Sequence, residues 1–154
     1  MAHDVWVLHG PNLNLLGRRE PKIYGRDTLA AIDARLAALG EELGLRVTSF
    51  QSNHEGALID RLQIAMDEAD GVILNPGALT HTSMAIGDTL RAMTIPVVEV
   101  HLSNLVARER ERQVNLTAAA AAGVIMGFGS VGYELALRAL SARFRPRRKR
   151  GGKS

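Results

Sequence analysis

The stretch HGPNLNLLGRREPKIYGRDT, His9 to Thr28, sets Tyr24 among Arg18, Arg19, Lys22 and Arg26 in a segment that follows neither a helical nor a strand period. A tyrosine placed for a core wants apolar neighbours and one hydrogen-bond partner, whereas nearby cations stabilise its anion. An ordinary phenol loses its proton near pH ~10, so a tyrosine that acts as a base near neutrality needs such cations. A second pairing lies further along the chain. Within VVEVH, Glu99 precedes His101 by two residues, on one face of a strand, where a carboxylate can orient and charge the imidazole. Asn12, Asn75 and His81 complete the polar set, and no histidine spacing among them matches a zinc pattern.

Five short runs rich in β-branched residues have strand length: Asp4 to His9, Leu45 to Ser52, Gly71 to Pro76, Ile95 to His101 and Gly123 to Gly129. Longer stretches with helical spacing separate them. In TLAAIDARLAALGEELG, Leu29, Ile32, Leu36, Leu39 and Leu43 recur at three- and four-residue intervals, behind an N-cap at Thr28 and before a stop at Gly44. EGALIDRLQIAMDEAD puts Leu58, Leu62, Ala65, Met66 and Ala69 on one face, and residues 84–93 and 133–144 supply two more helices. Strands alternating with helices predict a parallel sheet covered on both faces, a flavodoxin-like doubly wound α/β fold with strand order 2-1-3-4-5. Ligands of such sheets bind beyond the C-terminal strand ends, where the order reverses, and that is where Asn12, Asn75, His81 and His101 fall.

With 154 residues, 46% of them hydrophobic, the chain makes one domain with a substantial core, expected over residues 1–142. The net charge of +3 is unevenly spread. Seven of 19 Lys and Arg lie in RFRPRRKRGGKS, residues 143–154, and the rest of the chain holds 12 basic against 16 acidic residues. The segment reads as a disordered basic tail rather than a nucleic-acid arm, and an aromatic content of 4% disfavours base stacking. The absence of cysteine excludes disulfides, thiolate metal sites and a Cys nucleophile. No leader pattern and no apolar run of membrane-spanning length are present, so the expected location is the cytoplasm, without membrane contact.

GPNLNLLGRREPKIYGRDTL, QSNHEGALID, NPGALTHTS and VVEVHLSN, in this order, resemble the type II 3-dehydroquinate dehydratases, over a span from Val5 to Leu140. The resemblance implies a homododecamer of four trimers. It also implies dehydration of 3-dehydroquinate to 3-dehydroshikimate through an enolate, in the shikimate pathway of aromatic amino-acid biosynthesis, with no metal and no cofactor. Carried over by position, Tyr24 matches the catalytic base and Arg19 the lid arginine beside it. Asn12 matches the residue that holds a water near the enolate oxygen, and His101, oriented by Glu99, matches the general acid. Asn75, with the backbone amides of Leu102 and Ser103 and the Ser103 hydroxyl, matches a carboxylate pocket. His81 and Arg112 match hydroxyl-binding positions, and Asp88 an acidic residue that reaches the neighbouring subunit's site.

The chain departs from that pattern after VVEVHLSN. Arg108, Glu109 and Arg112 align, but Val106 stands for a histidine, Glu111 for an aromatic residue and Asn115 for a serine. Gly87 stands where an arginine is common, at a helix-propensity cost of about 1 kcal/mol relative to Ala. Two other occupants of this fold are disfavoured. GPNLNLLG lacks the Ser/Thr/Gly phosphate loop of a flavin carrier, and His9, Asn12 and Asn75 stand where a phospho-receiver needs carboxylates.

Overall fold

The computed structural model describes residues 2–144. Five parallel strands, β1 (His3–His9), β2 (Leu45–Gln51), β3 (Gly71–Asn75), β4 (Val97–His101) and β5 (Gly123–Met126), form one sheet in the order β2-β1-β3-β4-β5. This is the expected doubly wound order. The helices are α1 (Pro21–Tyr24), α2 (Leu29–Leu43), α3 (Glu55–Glu68), α4 (Met84–Ala92) and α5 (Val131–Phe144).

Alternation along the strands builds two cores. Val5, Val7, Ile73, Val98 and Val100 point to one face, where Ile32, Leu36 and Leu39 of α2 meet Tyr133, Leu137 and Leu140 of α5. Leu8, Val72, Leu74 and Val97 point to the other, against Leu58, Leu62 and Ala65 of α3 and Ile86 and Leu90 of α4. A strand buried on both faces reads as a continuous apolar run, which is why GVIL of β3 shows no alternation.

Local signals set several boundaries. The Thr28 hydroxyl accepts from the Ala31 amide, and Gly44 turns left-handed at φ 72°, so α2 begins and ends as its sequence predicts. Helix α5 runs to Phe144, two residues beyond the expected domain end at 142, and the Phe144 ring stacks on His3 with centroids 4.7 Å apart. Arg143 and Phe144 therefore belong to the folded body, and the remainder of the expected tail lies outside the described residues. The segment from His9 to Thr28 is also more regular than its composition suggests: it holds a 3₁₀ turn at Leu13–Leu15 and the single-turn helix α1. Pro21 at the first helical position and Gly25 after the last explain α1.

Strands β1 and β3 end side by side, with His9 in register with Asn75, and their exit loops touch. The Gly10 amide donates to the Asn75 carbonyl at 2.8 Å, and a Cβ at Gly10 would lie 2.4 Å from the Pro76 carbonyl oxygen. Backbone cannot yield there as a side chain could. Gly10→Ala should lower unfolding free energy in urea by about 3 kcal/mol or more, as severe overpacking does. Gly56→Ala, in open space on α3, should instead gain up to about 1 kcal/mol from helix propensity.

Candidate active site

The loops after β1, β3 and β4 enclose a cleft of about 540 Å³ including its open mouth. Asn12, Arg19, Tyr24, Asn75, His81, His101, Leu102, Ser103 and Arg112 all line it. Glu99 sits directly behind His101, fully buried. Asp88 lies away from the cleft of this chain, exposed on α4 and paired with Arg91 at 2.9 Å.

Two arginines face the Tyr24 hydroxyl, Arg19 at 3.4 Å and Arg108 at 3.5 Å, with their guanidinium carbons 4.8 and 5.5 Å from the ring centroid. The sequence suggested four cations from the tyrosine's own loop. Of these Arg19 reaches the ring, while Arg18, Lys22 and Arg26 are exposed. The second cation comes from the loop after β4, 84 residues away, where no local spacing could point to it. Burial works against the charge of Arg108, but the Tyr24 oxygen and Glu109 outweigh it and hold the guanidinium above its ordinary pKa. Arg108 also donates to Ser103 Oγ at 3.0 Å, which leaves the Ser103 hydrogen free to donate into the cleft.

Across the cleft, His101 Nε2 lies 3.0 Å from Glu99 Oε2, so Nδ1 is the ring nitrogen available to the cleft. Burial raises the pKa of Glu99, but hydrogen bonds from His101, Thr117 and Asn115 outweigh it and hold the carboxyl below its ordinary value. Thr117 Oγ1 donates to Oε1, Asn115 Nδ2 to Oε2 at 3.1 Å, and Thr80 adds a contact at 3.4 Å.

Here the departures acquire a physical reason. The Asn115 amide uses both ends: Nδ2 donates to Glu99, while Oδ1 accepts from the amides of Thr117 and Ala118. The segment carrying it crosses α4 so closely that a Cβ at Gly87 would meet the Leu116 carbonyl oxygen at 2.6 Å. Gly87 thus does more than weaken a helix: it admits the backbone that delivers Asn115 and Thr117 to Glu99. Val106 is exposed, and Glu111 is exposed in a neighbouring surface groove that shares His81 and Arg112 with the cleft.

The remaining positions follow from turns. Asn12 adopts the left-handed region at φ 69°, and its backbone N–H donates to Asn53 Oδ1. His81 ends the 3₁₀ turn Gly77–His81 and donates Nδ1–H to the Val114 carbonyl, leaving Nε2 as an acceptor at the cleft. Arg112 is held by Glu109 through Nε. Glu20, at φ 34°, precedes α1 and puts a non-glycine residue in a costly conformation at the base of the Tyr24 helix. Among the described residues no group of three or more His, Cys, Asp or Glu could hold a metal ion. No helix among them is long and apolar enough to cross a membrane.

A flavodoxin-like sheet with a tyrosine between two arginines on one side of its switch-point cleft and a carboxylate–histidine pair on the other has the groups that an acid–base enzyme needs. The chain belongs to the class II dehydroquinase family, whose model matches residues 3–141. It is 58% identical to the 3-dehydroquinate dehydratase of Bordetella pertussis, over 90% of this chain and 96% of the relative. It is 48% identical to catabolic 3-dehydroquinase 1 of Neosartorya fischeri, over 96% and 98%. Its fold superposes on the crystal structure of type II dehydroquinase from Propionibacterium acnes with a TM-score of 0.89 and 43% identity, covering 92% of this chain and 98% of that one.

The depressed pKa of Glu99 makes a signed prediction. A carboxyl with a lowered folded pKa contributes stability that is present above its unfolded value, about 4.3, and lost as pH falls through the folded value. Glu99→Gln sets an amide donor against the donors His101, Thr117 and Asn115, and should cost about 1–3 kcal/mol near neutrality. The difference from wild type should narrow as pH falls below about 4.3, measured by urea unfolding at a series of pH values. A pH-independent difference would show that Glu99 is not held as an anion.

Proposed function

We propose that the cleft dehydrates 3-dehydroquinate to 3-dehydroshikimate through an enolate. The observation that carries this reading is the placement of Tyr24, with its two arginines, and of the Glu99–His101 pair around one cleft. Loss of water from a β-hydroxy ketone needs a base for the α-proton, stabilisation of the enolate and an acid for the departing hydroxyl. The Tyr24 phenolate, neutralised by Arg19 and Arg108, takes the α-proton, and the electron pair moves onto the ketone oxygen. Asn12 holds a water against that oxygen. His101, charged against Glu99, gives its proton to the hydroxyl as the carbon–oxygen bond breaks and water leaves.

Asn75, the Leu102 and Ser103 amides and the Ser103 hydroxyl receive the substrate carboxylate, and His81 and Arg112 its ring hydroxyls. The residues supply base, acid and binding groups among themselves, which supports a reaction without metal or cofactor. The step serves the shikimate route to aromatic amino acids, in the cytoplasm. The working assembly is a homododecamer of four trimers, in which Asp88, exposed on α4, reaches a neighbouring subunit's cleft. Met84, Val114 and Phe128, exposed in the single chain, supply apolar surface for contacts between subunits.

Enone absorbance should appear when 3-dehydroquinate is added to the protein. Tyr24→Phe should cut kcat by at least ~10²-fold with little change in KM, since the carboxylate pocket is untouched. Near wild-type kcat in that variant would overturn Tyr24 as the base. Arg108→Ala should lower kcat by at least ~10-fold, because it removes one of the two cations that favour the ionised form of the base. Sedimentation equilibrium should give twelve times the chain mass, and a monomer or trimer would exclude the assembly proposed.

A further inference from the structure

One buried polar group of the fold takes no part in the chemistry above. His9 is fully buried at the end of β1, in register with Asn75 and on the same face of the sheet. Tyr133 of α5, also fully buried, lays its hydroxyl across both: 2.9 Å from His9 Nδ1 and 3.0 Å from Asn75 Nδ2. His9 Nε2 lies 2.8 Å from Oδ1 of Asp33, a partly exposed residue on α2.

The direction of every bond follows from one amide. The Gly77 N–H donates to Asn75 Oδ1 at 3.0 Å, which assigns that end of the side chain as oxygen. Nδ2 must then be the end that donates to Tyr133. Burial pushes the Tyr133 hydroxyl above its ordinary pKa and keeps it neutral, so its own hydrogen needs an acceptor. His9 Nδ1 is that acceptor, and the ring's proton sits on Nε2, donating to Asp33. Nδ2 of Asn75 has two hydrogens. One is committed to Tyr133, and the other is left for the cleft that Asn75 lines.

We propose that Asp33, His9 and Tyr133 form a directed hydrogen-bond relay that positions the Asn75 amide so that one N–H points at the substrate's carboxylate. These are positioning residues for substrate binding, and the proposal rests on the reading of Asn75 as a carboxylate-binding group. The carboxylate is present in substrate and transition state alike, so loosening its donor removes uniform binding and raises KM without lowering kcat.

Tyr133→Phe keeps the ring and removes the hydroxyl. It should raise KM for 3-dehydroquinate about tenfold, the scale of one hydrogen bond to a charged group, with kcat within about twofold of wild type. The double variant Tyr133→Phe/Asn75→Ala should be no worse than Asn75→Ala alone, because both changes remove the same donor. Nitrogen NMR of the wild-type imidazole should report His9 with Nε2 protonated and Nδ1 bare. Asp33→Ala, altered at the partly exposed end, repeats the KM measurement should Tyr133→Phe not fold, with a smaller rise expected. If Asn75→Ala raises KM but Tyr133→Phe or Asp33→Ala leaves it unchanged, or if the effects multiply in the double variant, the relay is overturned while the carboxylate reading stands. An unchanged KM in Asn75→Ala overturns the carboxylate reading and the relay with it. A proton on His9 Nδ1 overturns the relay directly.

Discussion

A carboxylate with no access to water governs the second half of this molecule. Glu99 is fully buried in the middle of β4, an interior strand of the sheet, and a buried anion persists only when its oxygens are hydrogen-bonded. Its donors come from three segments: His101 on its own strand, Thr80 from the loop after β3, and Asn115 and Thr117 from the long connection to β5. Satisfying this one group therefore requires the connection after β4 to fold back over α4. The same connection carries Arg108 and Arg112, which line the cleft, so the cleft's far wall is a by-product of solvating Glu99 with protein.

The two sides of the cleft solve opposite electrostatic problems. Tyr24 lies on a one-turn helix at the rim, half-buried, its ring packed against the α2/α5 core and its hydroxyl between two guanidinium groups. His101 lies at the floor, backed by an anion and nearly without exposure. A phenol flanked by two cations on one side therefore faces an imidazole backed by a buried carboxylate on the other. The half-buried setting of the tyrosine and the enclosed setting of the histidine match their elements. Loops can bring a side chain over a ligand, whereas strand ends hold one still.

Departures from a family pattern are informative here because they occur as a set. Gly87 alone looks like a weakened helix and Asn115 alone like a polar exchange. Together they describe a backbone that passes over α4 at a distance no side chain permits and an amide that spans from that backbone to Glu99. Neither change touches the cleft, and both shape what lies behind it.

Periodicity and punctuation were enough for the frame. Apolar runs of strand length between helical repeats, Thr28 and Gly44 at the ends of α2, and the strand order that such alternation favours are local or statistical properties of the chain, and they reappear in the structure. So does the gathering of Asn12, Asn75, His81 and His101, because in a parallel sheet every strand's C-terminal end lies on one edge. Tertiary structure alone decided which cation joins Arg19 at Tyr24, what solvates Glu99, and that His9 and Asn75 share one tyrosine hydroxyl. Those contacts join residues 84, 16 and 124 positions apart, and hydrogen bonding acts over about 3 Å of space whatever the separation along the chain.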